Sequence, residues 1–278
     1  MKRSSSILGA LALALGSAGA QPTPSARPYP AGFPVDSFQT HERVAVWMAA
    51  YDRCAWVTSD SLVAQATPAE QRRLGAEWFC YESGGRWNAV YGRYDAKTDT
   101  FDPVVQYADT GSGKFVRRPV APPPDALPIA RALASSVERM PHAAATGHVR
   151  YNTFVQRGAS GPEVWLLPAW QPNGVLVWGV ELRYAFDPGG RTVRDSTVVL
   201  APLRGVRPDS TMDLRIDSSS PDVPTVGETF FMVRYHGLFH GVRVYTRRFT
   251  TTLFDRNGTK AWITAVRDTA PASAPPSS

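Results

Sequence analysis

Lysine is nearly missing from this chain of 278 residues. Only four of its 30 basic side chains are lysines, and the arginines are scattered. Without a dense Lys/Arg run, the formal charge of +6 makes no nucleic-acid footprint. No apolar run reaches the roughly 20 residues that span a bilayer, so no transmembrane anchor is expected. Catalytic signatures are missing too. There is no G-x-S-x-G elbow, since Gly158-Ala159-Ser160-Gly161 has the wrong spacing, and no H-E-x-x-H. Gly111-Ser112-Gly113-Lys114 lacks the spacing of a phosphate loop and reads as a hairpin tip. His41, His142 and His148 fall in separate elements and make no triad. No cofactor is expected.

Cysteine is scarce as well: Cys54 and Cys80 only. In an oxidising compartment an even pair reads as a disulfide, which would stabilise the fold by roughly 3–4 kcal/mol. The competing reading is two buried thiols. Cys80 lies in the aromatic run Trp78-Phe79-Cys80-Tyr81, where burial would raise its pKa and make it inert.

What is present begins with an export leader. Lys2 and Arg3 precede an apolar run from Ile7 to Leu15, and Ala18-Gly19-Ala20 supplies a small-x-small cleavage site before Gln21. The expectation is a signal peptide over 1–20, cleaved near Ala20, and a periplasmic or secreted protein. No cysteine follows the site to carry a lipid.

Five prolines mark 21–35 as an extended, mobile lead-in. Val44, Trp47, Met48 and Tyr51 then recur at helical spacing over about 37–55. Thr67-Pro68-Ala69-Glu70 is a capping box with proline at the tolerated first position. Leu74 and Trp78 would continue that helix until Gly84-Gly85. Strand patterns follow at Arg86–Tyr94, Phe101–Tyr107 and Lys114–Arg118. Pro119–Pro124 marks a linker over 119–125. Beyond it, Asp125 can cap a helix whose stripe is Leu127, Ala130, Leu133 and Val137. Further strands are expected near 149–157, 163–170, 175–186 and 193–200. Asn257-Gly258 fits a hairpin turn. The tail, 269–278, is Pro, Ala and Ser and is expected to be disordered. The fold class is therefore α+β, in two modules (36–118 and 126–268), each a helix followed by antiparallel strands.

One constellation carries chemistry. Arg215-Ile216-Asp217 is followed after seven residues by Thr225-Val226-Gly227-Glu228, with Pro224 just before Thr225. This spacing resembles the His-x-His, seven residues, Ser-x-x-Asp signature of JAMM/MPN-type zinc peptidases. In that family two histidines and a carboxylate converge on zinc while an upstream glutamate takes the proton of its water. The resemblance covers at most 126–268, and Glu163 would match the upstream glutamate. Arg215 and Asp217 stand where the histidines would be, Thr225 replaces the serine and Glu228 the aspartate. A guanidinium cannot donate a lone pair to zinc. A hydrolase on this frame would have to hold its metal with Asp217, Glu228 and Glu163. Thr225-x-x-Glu228 is equally a capping box opening a helix with Val226, Phe230 and Val233 on one face.

His236 and His240 are an alternative metal pair at i, i+4, although Gly237 and Gly241 suggest a turn there. Trp165, Trp170 and Trp178, with Trp87 and Tyr91, could line a ligand surface. Alternation in Leu176–Leu182 puts Trp178 inside, whereas Trp170, beside Gln171-Pro172-Asn173-Gly174, is the candidate for exposure. Taken together, the residues predict an exported, non-catalytic binding or envelope-associated module taking a protein or glycan ligand. A metal-dependent hydrolase derived from the JAMM-type frame is the alternative.

Overall fold

The computed structural model describes residues 29–141, 144, 149–256 and 259–267. Helix α1 (Val35–Gln65) starts directly behind Pro34 and carries Asp36 in its first turn, where the helix dipole favours a carboxylate. Its 31 residues span about 46 Å. It runs well past the expected end near 55, because no Gly or Pro interrupts it before Thr67-Pro68. Met48 and Tyr51 lie in its buried stripe with Phe38 and Ala45, and Val44 and Trp47 flank it half-buried.

Helix α2 (Pro68–Arg73) is opened by the Thr67 box, in which Glu70 N–H donates to Thr67 Oγ1 at 3.3 Å and Thr67 N–H to Glu70 Oε2 at 2.9 Å. It stops early. Gly75 N–H turns to the Gly92 carbonyl, and Trp78 opens a strand instead of extending the helix. Strands β1 (Trp78–Ser83), β2 (Arg86–Asp95), β3 (Thr100–Asp109) and β4 (Phe115–Arg118) form an antiparallel meander. Gly84 and Gly85, both at positive φ, form its first hairpin turn and end no helix.

Helix α3 (Ala126–Glu138) buries Ile129, Ala130 and Leu133 but leaves Val137 exposed. Asp125 makes no side-chain cap and instead accepts from Arg157 Nε at 2.6 Å. A second antiparallel sheet runs β5 (Tyr151–Gly158), β6 (Gly161–Pro168), β7 (Leu176–Phe186) and β8 (Val193–Val206). The β7–β8 register shifts around Gly179, whose φ of +116° brings its α-carbon so close to β8 that a Cβ would sit 2.4 Å from the Pro202 carbonyl oxygen.

The third sheet is mixed. β9 (Asp213–Asp217) leads into α4 (Val226–Tyr235), a short 3-10 turn (His236–Leu238) and β10 (Gly241–Tyr245), which pairs parallel to β9. β11 (Phe249–Arg256) and β12 (Thr259–Val266) complete it, in the order β12-β11-β10-β9. The apolar stretch from Val242 to Phe254 is thus divided between two strands. Thr246 breaks it, its N–H bonding the Phe249 carbonyl at 2.9 Å while its hydroxyl accepts from Phe249 N–H at 3.0 Å.

The two sequence modules share one core. α1 packs along α4 and against β1, β2 and β5. His41 Nδ1 donates to the Pro224 carbonyl at 2.7 Å, and Trp262 Nε1 donates to Glu42 at 2.6 Å. Buried residues from both sides of 119–125 form a single cluster. The expected signal peptide, residues 21–28, His142, His148, Asn257-Gly258 and residues 269–278 lie outside the described residues. Among the described residues no helix is long and apolar enough to cross a membrane.

Candidate functional site

The residues of the peptidase-like spacing do not form one cleft. Arg215 and Asp217 bond each other on the exposed face of β9, at 2.8 Å, and Arg215 also covers the Tyr245 ring. Glu163, at the start of β6, accepts from Arg183 Nε at 2.6 Å, and the same guanidinium bonds Asp195. Thr225 and Glu228 close a full capping box on α4, with Thr225 N–H to Glu228 Oε2 at 2.9 Å and Glu228 N–H to Thr225 Oγ1 at 3.2 Å. Both carboxylates of the spacing are engaged by this chain's own groups.

A glutamate that the sequence did not single out lies there instead. Glu181 on β7 reaches the first turn of α4, where its Oε2 accepts from Gly227 N–H at 2.7 Å. It is 5 % exposed, and Leu167, Trp178 and Phe231 border the narrow slot beside it, whose free volume is only about 30 Å³. Burial pushes the Glu181 carboxyl above the usual range, opposed by its bonds to Gly227 and Thr225. Burial also raises Glu228, opposed by Ser218 and the Thr225 N–H, and the neighbouring Glu181 charge raises it further. Alternation concealed Glu181. Strict period-two spacing puts it opposite Trp178 on β7, but the register shift at Gly179 brings both onto the face that α4 covers.

A recess with both aromatic and polar walls lies between α1, β5 and the end of α4. Asp52, Trp56 and Ser59 share a face of α1, and the recess is walled by Trp78, Trp170 and Arg234 around about 230 Å³. Trp56 is 54 % exposed, its ring 6.3 Å from that of Trp170 and tilted 33° to it. Trp170 packs edge-on to Tyr235 at 6.1 Å, and Trp78 stacks on Tyr91 at 5.8 Å. The floor is polar. Asp52 accepts from Arg234 Nε at 2.6 Å and from Asn152 Nδ2 at 3.4 Å. Burial raises the Asp52 carboxyl, with Arg234 opposing the shift. The Ser59 hydroxyl shares a hydrogen bond with Tyr91 Oη at 3.0 Å. Of the aromatics considered from sequence, Trp170 reaches this recess, Trp165, Trp178 and Tyr91 are buried, and Trp87 lies beside Trp47. Trp56 carried no sequence signal because it falls beyond the expected end of its helix.

The disulfide expected between Cys54 and Cys80 is absent: both are free, buried thiols. Cys54 Sγ points its weak donor at the Asn88 carbonyl at 3.7 Å, and burial pushes the Cys80 thiol well up. Two thiols sealed between α1 and β1 pack as small hydrophobes. His236 Nδ1 bonds the Met232 carbonyl at 3.0 Å and His240 Nδ1 lies 3.2 Å from Asp213, so the pair diverges to different partners across the 3-10 turn. Among the described residues no group of three or more His, Cys, Asp or Glu side chains could hold a metal ion.

The residues brought together thus offer two environments: a sealed acidic pair at the start of α4, and an open recess with indole walls over a fixed ion pair. Comparison with protein-family models, with curated proteins and with solved structures finds no match to this chain.

Proposed function

We propose that this protein is an exported, non-catalytic binding module whose ligand seat is the recess of Trp56, Trp78 and Trp170. The observation that carries the reading is Trp56. A half-exposed indole on a helix gains little by burial where it stands, yet here it borders a concave site with a polar floor. The surrounding rings are held by their own neighbours, so little ordering entropy is lost on binding. Export rests on the leader from Lys2 to Ala20.

The alternative, a metal-dependent hydrolase on a JAMM-like frame, has less support. Asp217 is engaged by Arg215, Glu163 by Arg183, and Glu228 by its own helix cap. Thermal unfolding of the wild type and of Trp170→Ala, screened against sugars, amino acids, amines and nucleosides, tests the choice. A class of compound that stabilises the wild type and leaves the variant unmoved is the expected result. Metal-dependent hydrolysis of a peptide or ester by the purified protein, lost in Asp217→Ala, would replace binding by catalysis.

A further inference from the structure

We infer that the ligand of the tryptophan recess is a neutral sugar ring, bound with one apolar face on the indoles and its hydroxyls on the Asp52–Arg234–Asn152 floor; the inference rests on the binding reading above. Three features of the recess select that chemistry.

Charge comes first. The Asp52 carboxylate and the Arg234 guanidinium are fixed on one another at 2.6 Å, so the floor carries no net charge. A quaternary ammonium would seek an aromatic cage with unopposed acceptors. Here the half-buried guanidinium of Arg234 stands against it, and Asp60 lies at the exposed edge. An anion meets the mirror problem, because Arg234 is already committed to Asp52 and its guanidinium carbon lies 5.4 Å over the Tyr235 ring.

Donor and acceptor pattern comes second. Asp52 offers acceptors, Arg234 donors, and Asn152 and Ser59 offer both. A hydroxyl-rich ligand, each group donating and accepting, satisfies such a mixed set without leaving a buried partner unpaired.

Shape comes third. Trp56 and Trp170 are tilted and 6.3 Å apart, too close for a flat ring to intercalate, so they present a platform. The C–H face of a pyranose, partially positive, matches the negative face of an indole. A recess of about 230 Å³ falls below the ~300–1,000 Å³ typical of drug-sized ligands and suits a single ring at the end of a longer glycan.

The test is titration of the full chain with glucose, galactose and N-acetylglucosamine and with their short oligomers, followed by calorimetry and tryptophan fluorescence. At least one should saturate the wild type, with affinity nearly independent of salt because no ion pair forms. Trp56→Ala, at a half-exposed position that the fold tolerates, should weaken binding about tenfold or more, and Asp52→Asn should weaken it too. Absence of saturation by every sugar overturns the inference. If choline instead saturates a signal that Trp56→Ala abolishes, the binding reading stands without the sugar. If no sugar or amine binds and Trp56→Ala changes nothing, the recess is no ligand seat and both readings fall.

Discussion

Glu181 and Gly227 meet across 46 residues of sequence: the carboxyl on β7 accepts the backbone N–H of the first turn of α4 at 2.7 Å. This one bond joins the second sheet to the helix that crosses between β9 and β10. It also fixes a carboxyl where water hardly reaches, beside the buried Glu228.

The first prediction concerns pH. Glu181, Glu228 and Asp52 all have raised folded-state pKa values, with burial as the largest cause. Their contribution is fully present below the unfolded carboxylate pKa and is lost as pH rises through the folded value. Thermal stability should therefore rise as pH is lowered from neutral into the weakly acidic range. Glu181→Gln, which keeps an acceptor for Gly227, should stabilise the protein at neutral pH by on the order of 1 kcal/mol and flatten that rise. A variant less stable than wild type at neutral pH, with an unchanged profile, would show that the ionised form is the one the fold needs.

At the acid end a different residue governs. Asp99, at φ +54° in the β2–β3 turn, is clasped by Arg131 and Arg191 and accepts from Tyr94 Oη. The Arg131 bond, followed by that of Arg191, holds its carboxyl well below the usual range. Its stabilisation is present above the unfolded pKa and disappears as pH falls through the depressed folded value. Asp99→Asn should lower the melting temperature at pH 7 and remove part of the loss seen in strong acid. Circular-dichroism melts across the acid range check both signs.

Capping supplies a third test. Thr225→Ala removes the acceptor of the Glu228 N–H, a hydroxyl bond to Glu181 and half of a reciprocal box. The cost should be about 1–2 kcal/mol, within the known span for N-cap losses. Thr67→Ala, on the exposed six-residue α2, should cost less. Urea unfolding of both variants gives the comparison, and equal costs would refute the weight placed on burial at α4.

Thiol chemistry gives the fourth. Cys54 and Cys80 are reduced and sealed, so an aromatic disulfide reagent should label neither in the native protein and both after denaturation. Dithiothreitol should leave the melting temperature unchanged. A drop on reduction would mean that the cysteines are crosslinked in solution.

Local grammar was the legible part of the fold. Both capping boxes, at Thr67 and Thr225, form as their spacing implies, because every bond in such a box closes within four residues. Gly111–Gly113 likewise makes the turn its composition dictates. What failed depended on distant neighbours. Trp78 reads as a helix residue until Gly75 is seen bonding to Gly92. Cys54 and Cys80 read as a crosslink by compartment, a rule that carries no geometry. The site was less visible than the fold. Trp170 stood out by its loop, but Trp56 and Ser59 lie on the part of α1 beyond its expected end, and Arg234 arrives from the far end of α4.

The long first helix has a consequence for any cut in the backbone. Because His41 and Glu42 grip Pro224 and Trp262, a nick within 119–125 would leave two fragments still clasped by buried surface. Each fragment expressed alone would bare its side of that clasp, Phe38 and Tyr51 on one, Phe154 and Phe230 on the other, and reunite only by complementation.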